Sequence, residues 1–293
     1  MFRRASAGLA AAVFVTVGLA ACSSSDSASV PANCEPEHDF TTISEGVLTV
    51  STYPLPPYTN VLDRKQTVDG TAYTVGGTLV GVDGDILADF AANECLELEV
   101  HTTAAAAVIP TVQAGAADVG AGNWYRTEER AKIVDLTEPI YADKVAIISP
   151  DGASSFAELE GRKVGTVVGY QYVADLRDLF AENLVLYNSP LTMFRALEDG
   201  DIDAAVDTVG VGEEFTREND LVVKEAEPDK AVAASLKPGQ SAFIVQKGQD
   251  DLLAALNATI DRLRESGRLA EILEEHRLDP AAAEPGDPFL IKD

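Results

Sequence analysis

The chain has 293 residues, 46% of them hydrophobic, with 48 Asp plus Glu against 22 Lys plus Arg and a formal net charge of −26. That balance excludes nucleic acid as a partner, because such binding rests on neutralising phosphates; it favours solubility and leaves the sign of a local cleft open. His38, His101 and His276 show no ligand spacing, so no metal or cofactor is expected.

Arg3 and Arg4 precede an alanine-rich apolar run, Ala7 to Ala21, with the length and small-residue end of a secretory signal. Leu19-Ala20-Ala21-Cys22 closes the run and resembles the bacterial lipobox. This implies cleavage after residue 21 and lipidation of Cys22, with 1–21 a lipoprotein signal peptide; an ordinary signal peptide that happens to carry a cysteine is the alternative. Residues 23–29, all serine, alanine and aspartate, read as a flexible tether within an arm over 22–43. Arg3 and Arg4 are the only charges before Cys22, so their removal takes the net charge to −28. About 270 residues remain, enough for one large core or two lobes. Cys34 and Cys95 are left as an even pair outside the cytoplasm. A disulfide from the arm to the first lobe is the economical reading, and two buried thiols are the other. No later stretch is long and apolar enough to span a bilayer, which makes the expected location extracytoplasmic and lipid-anchored.

From about residue 46 strands and helices alternate. Val47 to Ser51 reads as a buried strand, and Asp85 to Asn93 puts Ile86, Leu87, Phe90 and Ala91 on one helical face. The excursion from Thr59 to Leu79, with turn signals at Asp69-Gly70 and Gly76-Gly77, reads as a hairpin or loop. Leu96, Leu98 and Val100 alternate with acidic residues as in a strand. Pro110 fits only near a helix start. Ala117 to Ala121 is a strand, followed by a turn-like Gly122-Asn123 and a helix from about Thr127. Ser155 and Glu158 have capping-box spacing. Lys163 to Val168 is a strand, followed by a helix over about 171–183. Ser189-Pro190 starts another helix, with Leu191, Phe194 and Leu197 inward. Ile202 to Val206 and Ser241 to Gln246 are strands, and helices over Asp250 to Glu265 and Arg268 to His276 follow. Such alternation argues for α/β architecture with mainly parallel sheets.

Five fragments in order resemble family 3 periplasmic solute-binding proteins. These are Tyr53-Pro54-Leu55-Pro56-Pro57-Tyr58; Gly81-Val82-Asp83-Gly84-Asp85-Ile86; Val108-Ile109-Pro110 through Asp118; Gly122-Asn123-Trp124-Tyr125-Arg126-Thr127-Glu128-Glu129-Arg130; and Gly161-Arg162-Lys163-Val164-Gly165 with Gly169. The resemblance implies a type II periplasmic-binding-protein-like fold, two α/β lobes on a two-strand hinge that close over one ligand. By it lobe 1 is 44–142 plus 237–280 and lobe 2 is 143–236, leaving 281–293 as a tail. The implied function is the solute-binding component of an ABC importer, a non-enzyme. It would act as a monomer with a small polar or zwitterionic, amino-acid-like ligand and a cognate permease in the membrane.

Within that frame Arg130 is the expected anchor for a ligand carboxylate, because its planar fork binds carboxylates bidentately; the alternative is an exposed arginine paired with Glu128 or Glu129. Its side chain is expected to face an open cleft. Main-chain groups of Gly122 and Asn123, and the strand-to-helix turn at Gly169-Tyr170-Gln171-Tyr172, are further candidates. Tyr53, Tyr58, Trp124, Tyr125, Tyr170 and Tyr172 fall on strand-end loops, where aromatic faces can hold an ammonium. Several residues depart from the family pattern. Ala105 stands where an aromatic usually covers the ligand, Val82 replaces a phenylalanine, and Tyr125 and Tyr170 replace small hydroxyl residues. The expected aspartate appears as Asp207, one place early, with Thr208 in its position, a shift that on a strand reverses the face; either the register slips locally or the ligand is not held as an ordinary α-amino acid, and both residues stay candidates. A ligand-sensing lipoprotein and a dehydratase-like enzyme on the same fold are the alternatives, although no nucleophile–base constellation is visible.

Overall fold

The computed structural model describes residues 33–63, 66–67 and 74–292. Arg3, Arg4, the apolar run, Cys22 and the serine-rich tether lie outside them. Among the described residues no helix is long and apolar enough to cross a membrane.

In chain order the principal elements are β1 (Val47–Thr52), α1 (Val82–Asn93), β2 (Glu97–Thr102), α2 (Val108–Gln113), β3 (Val119–Tyr125), α3 (Glu128–Ile133), β4 (Val145–Ser149), β5 (Val164–Val167), α4 (Val173–Phe180), β6 (Leu184–Tyr187), α5 (Pro190–Glu198), β7 (Ala204–Thr208), α6 (Val209–Phe215), β8 (Val222–Glu225), β9 (Gly239–Val245), α7 (Asp250–Glu265) and α8 (Arg268–Glu275). They build two lobes, each a sheet flanked by helices. The larger sheet runs β2-β1-β3-β9 at its centre and the smaller runs β6-β5-β7-β4-β8.

Both sheets are mixed, which refines the expectation of mainly parallel ones. β1 is parallel to β2 and β3, and β5 is parallel to β6 and β7. These strands are joined through helices, and a crossover of that length delivers the next strand parallel. β4 and β9 run antiparallel to their neighbours. Each is the first long strand after the chain changes lobe, so no helical crossover fixes its direction. The change of lobe is made by two short antiparallel segments, Ala142–Asp143 against Gly239–Gln240. They are the two-strand hinge.

Local signals explain most element starts. Ser155 and Glu158 form a reciprocal capping box. Ser189 Oγ accepts from the Thr192 N–H with Pro190 opening α5. Residues 59–80 contain two antiparallel ladders, Asn60–Leu62 with Thr78–Val80 and Gln66–Thr67 with Thr74–Val75. On α5 the inward face is Pro190, Met193, Phe194 and Leu197, while Leu191 is exposed. The true stripe has the i, i+3, i+4, i+7 spacing, which puts Leu191 off it. α4 starts at Val173, not 171, and stops where Ala181 takes a positive φ of 47°. The Cys34–Cys95 disulfide ties the N-terminal arm to the α1–β2 connection, with Cα atoms 5.7 Å apart.

One face of the smaller sheet packs its own cluster, including Ile147, Phe156, Leu176 and Val206. The other face, with Ile148, Phe194 and Ala205, joins a continuous core with Val50, Phe90, Val119 and Phe243 of the larger lobe. The lobes are therefore packed on each other along the hinge side.

Candidate functional site

The site starts with an irregular strand. Along β3 and β9, Trp124 stands opposite Ala242 and Gly120 opposite Ile244, so Ala121, Gly122 and Asn123 together face Phe243 alone. A bulge of this kind re-aims side chains at a sheet edge. Gly122 and Asn123 carry positive φ values of 138° and 52°. A Cβ on Gly122 would lie 2.7 Å from Tyr53 Cε1, so both conformation and space demand glycine. The expected turn at Gly122-Asn123 is therefore a bulge inside the strand.

Asp83, at the start of α1, holds that bulge. Its Oδ2 accepts from the Gly122 and Asn123 N–H groups at 2.9 and 3.2 Å, and its Oδ1 from Tyr141 OH at 2.8 Å. Burial lifts the Asp83 carboxyl to about 6, the hydrogen bonds from Tyr141 and the two amides offsetting part of the rise. These amides are thus committed to Asp83 rather than to a ligand.

On the hinge, Asp143 accepts from Tyr58 OH at 2.6 Å and from Asn123 Nδ2 at 2.9 Å. Its carboxyl is also pushed up, first by burial. With its amide nitrogen fixed by Asp143, Asn123 presents Oδ1 to the cleft, where that atom is buried without a hydrogen-bond partner. Trp124 Nε1 and Tyr125 OH are likewise buried and unpartnered. Groups of this sort are costly unless something polar meets them.

Nine of the eleven ligand residues expected from the sequence line one cleft between the lobes: Tyr53, Asn123, Trp124, Tyr125, Arg130, Tyr170, Gln171, Asp207 and Thr208. Leu55 and Tyr172 complete it. Gly122 lies behind Tyr53 and accepts from its OH at 3.3 Å. Tyr58 is turned away, stacked on Tyr141 with centroids 5.2 Å apart, and lines a separate cavity behind the hinge.

Arg130 does not face an open cleft. It is 7% exposed. The Thr127 side chain caps its helix by accepting from the Arg130 N–H. Its guanidinium lies 4.9 Å from the Trp124 ring centroid, and it donates to Tyr125 O at 2.7 Å and to Gly169 O at 3.2 Å. The second of these crosses from one lobe to the other. Gly169 comes close for a steric reason: with φ 93°, a Cβ there would lie 3.1 Å from Ala106 Cα. The alanines at 104–107 thus let the second lobe seat on the first. Ala105 is buried, and Tyr170 and Tyr172 supply aromatic wall from the other side.

At Asp207 the alternation slips locally. The residue is fully buried, yet its carboxylate lines the cleft, accepting from the Thr208 N–H at 2.8 Å and facing Tyr170 OH at 3.5 Å. At the last two residues of β7, where the chain turns into α6, both positions border the cleft and strict alternation no longer separates them. Burial raises the Asp207 carboxyl well above the usual range, and the nearby Asp143 charge adds to this. Asp83, Asp143 and Tyr141 were not singled out as site residues from the sequence. Asp83 stood within a quoted fragment, but nothing in the sequence shows that it reaches the bulge.

The comparisons with known proteins agree with this architecture. The family model for bacterial extracellular solute-binding proteins, family 3, matches residues 64–278. The L-arginine-binding protein of Pseudomonas aeruginosa is 27% identical over 214 residues, covering 69% of this chain and 81% of the relative. The L-cystine-binding protein TcyJ of Escherichia coli is 23% identical over 205 residues, 68% of this chain and 74% of that one. The amino acid ABC transporter substrate-binding protein AbpA from Streptococcus pneumoniae, solved with L-arginine, is 27% identical with a TM-score of 0.68, covering 81% of this chain and 96% of that one. With more than half its length matched, the chain belongs to the bacterial extracellular solute-binding proteins of family 3, and it is the extracytoplasmic binding component of an ABC importer, capturing solute by closure of two lobes.

Proposed function

We propose that the solute is an α-amino acid, held with its carboxylate toward Arg130 and its ammonium toward Asp207 and Asn123 Oδ1. One observation carries the reading. One cleft holds a buried guanidinium, Arg130, and a buried carboxylate, Asp207, together with unpartnered donors, Trp124 Nε1 and Tyr125 OH, and an unpartnered acceptor, Asn123 Oδ1. A zwitterion is complementary to that division. The similarity to proteins named for L-arginine, glutamine and L-cystine supports the class without selecting a member. Arg130 would exchange one of its carbonyl acceptors for the ligand carboxylate, a stronger, charge-assisted bond.

Calorimetry of the exported protein against the amino acids tests this. Arg130→Ala should cost ~2–5 kcal/mol of binding, roughly thirty-fold to several thousand-fold, with Arg130→Lys recovering only part. Binding should also strengthen as the pH rises above the ordinary carboxylate range, because the ligand ammonium favours the ionised form of a carboxyl whose pKa is raised. Asp207→Asn should weaken binding and flatten that slope. Amino acids that leave the protein unaffected in every case would remove the assignment.

The same proposal takes lobe 1 as 44–142 plus 237–280 and lobe 2 as 143–236, which the crossing at Ala142–Asp143 and Gly239–Gln240 supports. It also keeps the protein a monomer, anchored by lipid on Cys22 beside a cognate permease. Cys22→Ser should release it to the medium or leave an unprocessed precursor. Unchanged membrane retention and processing would count against the anchor.

A further inference from the structure

The segment from residue 279 onward has no part in the site described above, and it lies beyond the stretch matched by the family, which ends at residue 278. It runs past the hinge and is held there by one side chain. Gln240, on the hinge and 1% exposed, donates from Nε2 to Pro285 O at 3.0 Å and to Asp287 O at 2.9 Å, while its Oε1 accepts from the Phe289 N–H at 2.9 Å. Both halves of a buried amide are thus spent on the backbone of this segment. Phe289 then lies under the Lys237 ammonium, 2.9 Å from its ring centroid.

Ile291 makes contacts of two kinds. Its backbone adds a parallel bridge to the loop between β3 and α3: Ile291 N–H donates to Arg126 O, and the Glu128 N–H donates to Ile291 O, both at 2.9 Å. Those are first-lobe residues, next to the Thr127 cap that positions Arg130. Its side chain, 7% exposed, belongs to the apolar cluster of the second lobe, with Ala233 and Ala234 beside it. One residue is therefore hydrogen-bonded to one lobe and buried in the other.

We propose that residues 285–292 form a strap that holds the lobes closed, with Ile291 as its latch and Gln240 as its clamp. To open the cleft, the protein must strip the Ile291 side chain from the second lobe or break its two backbone bonds to the first. Either cost falls on the open state alone. The strap shifts the population toward the closed form and so sets affinity and release without touching ligand.

The test needs no ligand, so its outcome is separate from that of the amino-acid assignment. The exported protein is compared with a chain shortened to end at Glu284 and with Ile291→Ser, which keeps the backbone bonds and removes the latch. Small-angle scattering of the ligand-free proteins should show both variants more extended than the parent. Amide exchange at Glu128 and Ala233 should quicken about tenfold in Ile291→Ser, equivalent to ~1.4 kcal/mol of closing free energy. If the shortened chain does not fold, Ile291→Ser alone decides. A scattering profile and exchange rates in Ile291→Ser equal to the parent would overturn the strap, and so would a lower melting temperature with unchanged lobe separation.

Discussion

Asp83 shows how much one side chain can settle at a distance from the ligand. It does not itself line the cleft, yet it fixes the bulge that aims Asn123 and Trp124 inward. Its cost can be measured. A carboxyl at about 6 in the fold, against an ordinary 3.8, binds its proton more tightly when folded than when unfolded. The stability from this group is complete below about pH 4 and is lost as the pH rises through about 6, some ~3 kcal/mol in all. Asp143 and Asp207 shift the same way, first through burial, and add to the trend. Denaturant titrations should therefore find the ligand-free protein more stable near pH 5 than near pH 7.5, the reverse of ordinary acid weakening. Asp83→Asn is isosteric and keeps an acceptor for the two amides. It should fold normally and reduce the slope; an unchanged slope would place its origin elsewhere.

At the level of elements, the hinge and the arm carry different burdens. Gly239 opens β9 directly against Tyr125, and a Cβ there would fall 2.0 Å from Tyr125 Cε2. Gly239→Ala should displace that ring from the cleft wall and destabilise the protein by ~1–3 kcal/mol as an overpacked site. A near-parent unfolding midpoint together with unchanged amino-acid binding would mean that the ring moves freely. The arm is a stability element. The Cys34–Cys95 bridge closes a loop with a sequence separation of 61, for which chain entropy gives ~4 kcal/mol. Reducing it, or replacing both cysteines by serine, should lower the unfolding midpoint by up to that amount while leaving ligand affinity within about twofold. The bridge lies far along α1 from Asp83, so it has no hold on the cleft.

For the whole molecule, the lobes share one apolar core along the hinge, while the cleft between them is polar and aromatic. Closure therefore hides groups that need a partner, and the partner comes with the ligand. An amino acid at about a hundred times its dissociation constant should add ~2.7 kcal/mol of stability. In a domain of this size that raises the melting temperature by roughly 5–10 °C. The same titration should lose most of its effect in Arg130→Ala. A full shift in that variant would mean that the guanidinium serves only its carbonyl contacts across the cleft.

Periodicity and punctuation were sufficient for the alternating βα order, because they are local. Asp250 to Glu265 was bounded to the residue, and the caps were visible at Ser155 from Glu158 three residues on and at Ser189 from the adjacent Pro190. Gly122 to Arg130 marked the cleft through its resemblance to a contiguous stretch of the family. Other features depended on contacts that no local pattern encodes. Gly122 and Asn123 sit in a bulge because Asp83, some forty positions away, accepts both their amides. Asp207 faces the cleft although its register predicts otherwise, because β7 ends at Thr208 and the chain turns straight into α6, so strict alternation lapses there. Arg130 is buried rather than open because Gly169 can approach Ala106 closely enough to bring a carbonyl from the second lobe to its guanidinium. The clamp of Gln240 on residues 285–289 joins positions whose proximity only the folded hinge creates. Local sequence specified which elements form and where the polar groups are; long-range closure decided which of those groups are already taken and which are left for a ligand.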